Sequence, residues 1–253
     1  MFYLDLSVNQ IKEVWVWRVG NRVYLNLSCN LLESLEKPYN MSTSLQLIDF
    51  HSNRINGDPP ILPTSLIYFS IANNKLTGSI PSSICNLHHL QYINMSNNSI
   101  NSKLPPCLFQ KSDSLVVLNL GRNKLSGIIP DTFPQNCNLR TLDLNSNILE
   151  GKFPRSLQGC AFLEVLDIRN NKIRNTFPCM LKKFSNLHVL VLRPNMFHGN
   201  LRCLIANNET WSKLQIIDLL ANNFSGSLPT RYFSSRQGMM LSSNPDQVGS
   251  KHL

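Results

Sequence analysis

One asparagine recurs along this chain at a spacing that leaves few folds open. In the frame LxxLxLxxNxLxGxIP, with position 1 at the first Leu, position 9 holds Asn9, Asn30, Asn53, Asn74, Asn98, Asn123, Asn147, Asn171, Asn195 and Asn222. Position 6 of the same registers reads Leu6, Leu27, Phe50, Ile71, Met95, Leu120, Leu144, Ile168, Leu192 and Leu219, all apolar. The starts at Leu90, Leu115, Leu139, Leu163 and Leu187 are 25, 24, 24 and 24 residues apart. A fixed period of this length marks a stack of repeated coils. One coil cannot bury its apolar face alone, so neighbour stacking supplies the stability.

The pattern has a physical reading at each position. Side chains alternate along a strand, so positions 4 and 6 point together into the stack and positions 2, 3, 5, 7 and 8 project from its inner sheet. Where the strand turns, buried backbone groups need partners. An Asn amide offers donors and an acceptor, so stacked position-9 side chains can bridge the turns of successive coils. Gly57, Gly78, Gly127, Gly151, Gly199 and Gly226 at position 13 mark a positive φ or a close approach. Pairs such as Ile80-Pro81, Ile129-Pro130 and Phe153-Pro154 fix an extended segment on the outer side.

Composition narrows the partners. Charged residues make up 15%, well under the usual share of about 25%, and 24 Lys and Arg against 15 Asp and Glu leave +9. That balance attracts polyanions, or serves only solubility. No apolar run reaches the roughly 18 residues of a membrane span, and MFYLDLSVNQIKEV has neither the basic and apolar regions nor the cleavage site of a secretion signal. Six sequons, at Asn26, Asn40, Asn94, Asn97, Asn208 and Asn223, point to glycosylation in a secretory lumen.

The GxIP addition resembles the plant-specific class of leucine-rich repeats. The expected fold is therefore an α/β solenoid: a plant-type superhelix of about ten repeats, with a parallel concave sheet and convex 3-10 or extended segments. LVVLNLGRNKLSGIIPDTF, LRTLDLNSNILEGKFPRSL, CAFLEVLDIRNNKIRNTFPCML, FHGNLRC and WSKLQIIDLLANNFSGSLP resemble plant receptor-like proteins of the disease-resistance type, the tomato Cf and Verticillium-resistance relatives. RYFSSRQGMM, after the tenth repeat, resembles the opening of the non-repeat island in such ectodomains. Residues 1–229 are thus expected to form the solenoid, with an uncapped N-terminus, and 230–253 to begin the island or a disordered tail. The family's signal peptide, cap, transmembrane helix and cytoplasmic tail have no counterpart in the sequence, which reads as a piece of such a protein.

The concave face offers two sets of candidate partner-binding residues. Tyr3, Tyr24, Tyr68 and Tyr92 recur at position 3 as an aromatic column. Tyr suits recognition, being both apolar and hydrogen-bonding, and it also packs well on any pleated surface. Arg122, Arg140, Arg169 and Arg193 fall on four successive coils about 4.8 Å apart, as one basic patch for an acidic peptide or glycan. The opposing reading is solvated arginines balanced by Asp143, Glu164 and Asp167. Position 5 is Asp or Asn in most coils, and a residue repeated so often reads as lattice.

Among the seven cysteines, Cys179 and Cys203 both occupy position 17 of adjacent coils, which predicts a Cα separation near 5 Å and a disulfide worth about 3 kcal/mol. Cys137 and Cys160 form a weaker pair; Cys29, Cys85 and Cys107 share no register and read as small buried hydrophobes. His88-His89 has no Cys or carboxylate at ligand spacing, and no GxSxG, P-loop, HExxH or kinase signature is present. The expectation is no catalytic residue, metal or cofactor, and no nucleic-acid partner. The leading function is a segment binding a peptide, protein or glycan in a receptor-like protein of defence or developmental signalling, at the extracellular face of the plasma membrane. The resemblance implies adaptor and co-receptor kinases. Alternatives are a secreted polygalacturonase-inhibitor-like protein, a receptor-kinase ectodomain segment and a truncated remnant.

Overall fold

The computed structural model describes residues 2–14, 22–35, 41–110, 113–201 and 211–227. Its backbone is one solenoid. Ten short strands, Phe2–Asp5, Arg22–Asn26, Leu47–Asp49, Tyr68–Ser70, Tyr92–Asn94, Val117–Asn119, Thr141–Asp143, Val165–Asp167, Val189–Val191 and Ile216–Asp218, line up in chain order as one parallel sheet. Pairing keeps the repeat register, so that Leu25, Ile48, Phe69, Ile93, Leu118, Leu142, Leu166, Leu190 and Ile217 stand opposite one another. These position-4 residues and their position-6 neighbours fill the interior, and in the central coils they are essentially inaccessible. In the first and last coils Leu4, Leu6, Ile217, Leu219 and Phe224 are only partly buried.

After the strand, nine of the ten described coils turn through a left-handed residue at position 8; the ninth coil carries Pro194 there. Val8, Cys29, Ser52, Asn73, Asn97, Arg122, Ser146, Asn170 and Ala221 all have φ between 52° and 56°. The left-handed region disfavours side chains, so these nine residues are held there by their surroundings. The position-8 N–H reaches the following coil, as in Ser52 to Ala72 O at 2.9 Å and Asn170 to Arg193 O at 2.9 Å.

Beyond the turn a second register of short parallel strands forms, with Ser126–Ile128, Ile148–Gly151 and Lys172–Ile173 as its longest patch. The position-13 glycines there have φ from 69° to 86°. At Gly78 a Cβ would also run into the Asp58 carboxylate. The outer side carries 3-10 turns at Ser82–Asn86, Ser156–Gly159 and Cys179–Lys183 and an α-helical turn at Pro106–Gln110. Residues 230–253, where the sequence led us to expect an island, lie outside the described residues.

Candidate functional site

The face available to a partner is best understood after subtracting what the lattice uses. At position 9, the Asn147 amide donates to Leu120 O, Leu144 O and Asn145 O, each at 3.1 Å, and its Oδ1 accepts the Leu125 N–H at 2.9 Å. Asn30, Asn53, Asn74, Asn98, Asn123 and Asn171 repeat the same four bonds, and Asn222 closely follows them. Asn195 makes two of the donor bonds, and Asn9, in the first coil, donates only within its own turn.

Position 5 forms a second row. Oδ1 of Asp5, Asn26, Asp49, Asn94, Asn119, Asp143, Asp167 and Asp218 accepts the backbone N–H two residues on, at 2.9–3.2 Å. This Asx turn starts the bend at the strand end. The Asp5 carboxyl is held below its ordinary range, first by its bonds to Ser7. Asp167 is pushed upward instead. Burial is the main cause, and the Asp143 and Asp218 charges add to it against the Arg169 N–H and guanidinium.

What remains free is positions 2, 3, 7 and 8. The tyrosines of position 3 do not form one column: Leu47 takes that place in the third coil and splits them into two stacks. Tyr3 and Tyr24 have ring centroids 3.9 Å apart, and Tyr68 and Tyr92 lie 4.2 Å apart with planes 9° from parallel. The Tyr3 phenol is raised to about 12, chiefly by its hydrogen bond with Tyr24. Tyr68 is raised first by burial and next by the Asp49 charge. Both shifts hold the Tyr3 and Tyr68 phenols in the neutral form.

The four arginines do not make one patch. Arg140, at position 2, precedes its strand and pairs with Glu164 at 3.0 Å. Arg169 and Arg193, at position 7, lie beyond the other strand end, five residues further along the coil, about 16 Å at extended spacing. They pair with Asp167 at 3.2 Å and Asp218 at 2.7 Å. Arg122 is exposed, with its backbone in the left-handed turn. The position-5 lattice thus neutralises the position-7 charge.

The cysteines depart from the sequence reading. Cys85 and Cys107, expected to be small hydrophobes, form a disulfide with Cα atoms 5.5 Å apart. Register counted from the strand is lost on the convex side, because one coil passes through a 3-10 turn and the next through an α-helical one. Cys137 and Cys160 are also bonded, at a Cα separation of 4.5 Å. Cys179 is disulfide-bonded, and Cys203 lies outside the described residues. Cys29 is neither bonded nor fully buried, and it meets His51. His88 and His89 line a polar trough beside the strand starts with Gln46, Ser65, Gln91 and Ser114.

The sequon asparagines differ in how much the lattice uses them. Asn26 donates to Asp5, Asn94 to the Tyr92 hydroxyl and Asn97 to Asn73 at 2.8 Å, whereas Asn223 is exposed on the outer strand Asn223–Ser225. Asn40 and Asn208 lie outside the described residues.

Models of the leucine-rich repeat match residues 65–87, 89–111, 102–149 and 162–184. Receptor-like protein 35 of Arabidopsis thaliana is 39% identical over 127 residues, which is 49% of this chain and 12% of that protein. Receptor-like protein 7 of the same plant is 43% identical over 111 residues, 42% of this chain and 11% of that protein. The chain carries leucine-rich repeats and, over about half its length, is similar to plant receptor-like proteins. It matches only about an eighth of the length of these receptor-like relatives. Among solved structures, the ectodomain of the Arabidopsis thaliana receptor kinase GASSHO1/SCHENGEN3, in complex with CASPARIAN STRIP INTEGRITY FACTOR 2, superposes with a TM-score of 0.79 at 27% identity. That match covers 89% of this chain and 27% of that one. The plant peptide hormone receptor RGFR1, in complex with RGF2, gives 0.75 at 28%, over 81% of this chain and 33% of that one.

Proposed function

We propose that these coils are the ligand-binding stretch of a receptor-like protein ectodomain, and that the concave face takes an extended peptide across the two tyrosine stacks. The carrying observation is that the four tyrosines project from the inner sheet at position 3, stacked in pairs on either side of half-buried Leu47. A neutral aromatic surface with hydroxyls suits a peptide that presents both backbone amides and apolar side chains. The two structural relatives described above are themselves held in complexes with CASPARIAN STRIP INTEGRITY FACTOR 2 and with RGF2. Binding, with no chemistry of its own, is the role this assigns at the extracellular face of the plasma membrane. Signalling in defence or development then passes through the adaptor and co-receptor kinases that the family resemblance implies.

An acidic glycan as the ligand draws less support. A face that grips an acidic polymer needs unpaired cations, and Arg140, Arg169 and Arg193 already hold Glu164, Asp167 and Asp218.

The test is selection of a random-sequence displayed peptide library on the folded, disulfide-intact chain, with oligogalacturonide as a competing probe. We expect enrichment of peptides whose binding drops at least tenfold in Tyr68→Ser and Tyr92→Ser, roughly the loss of one aromatic anchor. Enriched peptides indifferent to both substitutions, or tight binding of oligogalacturonide alone, would overturn the proposal.

A further inference from the structure

One cluster of nucleophilic and titratable side chains lies near these stacks and plays no part in the proposed peptide binding. Cys29 occupies position 8 of the second coil, and His51 and Asp49 occupy positions 7 and 5 of the third. Cys29 Sγ lies 3.6 Å from His51 Nε2, and His51 Nδ1 lies 2.8 Å from Asp49 Oδ1. Asp49 Oδ1 also accepts the His51 backbone N–H at 2.9 Å, and the Cys29 N–H donates to His51 O at 2.8 Å.

These contacts assign the protons. The ionised Asp49 carboxylate only accepts, so it takes the Nδ1–H, which leaves Nε2 as the acceptor for the thiol. The imidazole is oriented twice over, by the carboxylate and by the Asx turn of its own backbone. Its side chain keeps 38% of its exposure and Cys29 is half-buried, so solvent reaches the pair. Cys29 is also the free cysteine among the described residues. A thiol backed by a base that a third group orients is the arrangement of an activated nucleophile.

We propose that Cys29 is a site of reversible thiolation that takes a low-molecular-weight disulfide of the glutathione type. The thiol proton passes to His51 Nε2 and the sulfur attacks one sulfur of the incoming disulfide. That S–S bond breaks as the Cys29 mixed disulfide forms. The departing thiolate takes the proton back from Nε2. Cys29 is oxidised and the released half is reduced, so one thiol and one disulfide are consumed and one mixed disulfide, which stays on Cys29, and one free thiol are formed. Cys29 follows Tyr24 by five residues on the second coil, so a modification here flanks the first tyrosine stack at the strand end.

The lattice supplies its own controls. Ser stands at position 8 in Ser52 and Ser146, Ser at position 7 in Ser7, Ser28 and Ser96, and Asn at position 5 in Asn26, Asn94 and Asn119. Cys29→Ser, His51→Ser and Asp49→Asn therefore place at each site a residue that other coils already accept there. The experiment exposes the disulfide-intact chain to oxidised glutathione at neutral pH and follows adduct formation by intact mass and non-reduced peptide mapping, with a thermal melt of each variant. We expect one adduct on Cys29 in the wild type and none in Cys29→Ser. We expect formation about tenfold slower in His51→Ser, less than the usual general acid–base contribution because a thiol is already partly ionised at neutral pH, at an unchanged melting temperature. Asp49→Asn should fall between the two. Equal rates in wild type and His51→Ser, or a Cys29 adduct seen only after denaturation, would overturn the proposal.

Discussion

Consider the removal of one rung of the asparagine ladder, Asn147→Ala. Its Nδ2 bonds end on Leu120 O, Leu144 O and Asn145 O, and each of these carbonyls has another donor: Asn123 Nδ2, Asn171 Nδ2 and Arg122 N. Losing the amide weakens three carbonyls without orphaning them, for about 0.5 kcal/mol each at the low end of a net hydrogen bond. The Leu125 N–H differs, because Asn147 Oδ1 is the partner shown for it and Leu125 is fully buried. An unsatisfied buried donor costs about 1–3 kcal/mol. The variant should therefore lose about 2.5–4.5 kcal/mol. Asn9→Ala, in the exposed first coil, removes only two donor bonds within one turn and should lose about 1 kcal/mol. Equilibrium urea unfolding of the two variants measures the contrast, and amide hydrogen exchange should show the Leu125 N–H losing protection. If Asn147→Ala costs no more than Asn9→Ala, the ladder is not what satisfies the turns.

Three further outcomes are expected. Cys160→Ser opens a link with a sequence separation of 23 to Cys137 and should cost about 3 kcal/mol in urea unfolding; a loss under 1 kcal/mol would assign those coils' stability to packing alone. Asp167→Asn should stabilise at neutral pH, because burial raises the folded-state Asp167 above its unfolded value, so ionisation opposes folding as pH rises. The gain should vanish once the carboxyl is protonated, and an equal effect at pH 7 and at pH 3 would refute that cause. Expressed through a plant secretory route, the chain should carry glycan at exposed Asn223 with higher occupancy than at Asn26, Asn94 or Asn97, whose amides the lattice engages; glycopeptide mapping reads this directly.

The solenoid was legible in the sequence because its determinants sit at fixed offsets from one another. Asn147 and Leu144 are three residues apart in the chain and act within one turn, so a period is enough to find them. The Asp and Asn row at position 5 was readable as lattice for the same reason, although its acceptor role toward the N–H two residues on needed the structure. The Cys85–Cys107 bond was not legible, since it depends on two convex segments of different helical type. Nor was the Cys29–His51 contact, which joins position 8 of one coil to position 7 of the next. Sequence reasoning that asks only whether two residues share a position is blind to such diagonal neighbours. The interruption at Leu47 was visible as a letter, and it becomes informative only once the strands are in register.

Position 5 also offsets positive charge at particular described coils of a chain with nine excess positive charges. The lattice needs an acceptor there, and Asn serves that need as well as Asp does, as Asn26, Asn94 and Asn119 show. Where the neighbouring position 7 carries Arg169 or Arg193, the acceptor that contacts it is Asp167 or Asp218, and an ion pair forms. Where position 7 carries Ser28, Ser96 or Gly121, the acceptor two residues before it is Asn. Asp5 and Asp143 stand before the neutral Ser7 and Asn145, so the choice between two residues equivalent to the backbone sets local charge without always answering a cation. On the proposed reading, a partner would meet an aromatic N-terminal half and a charge-compensated C-terminal half of the same sheet.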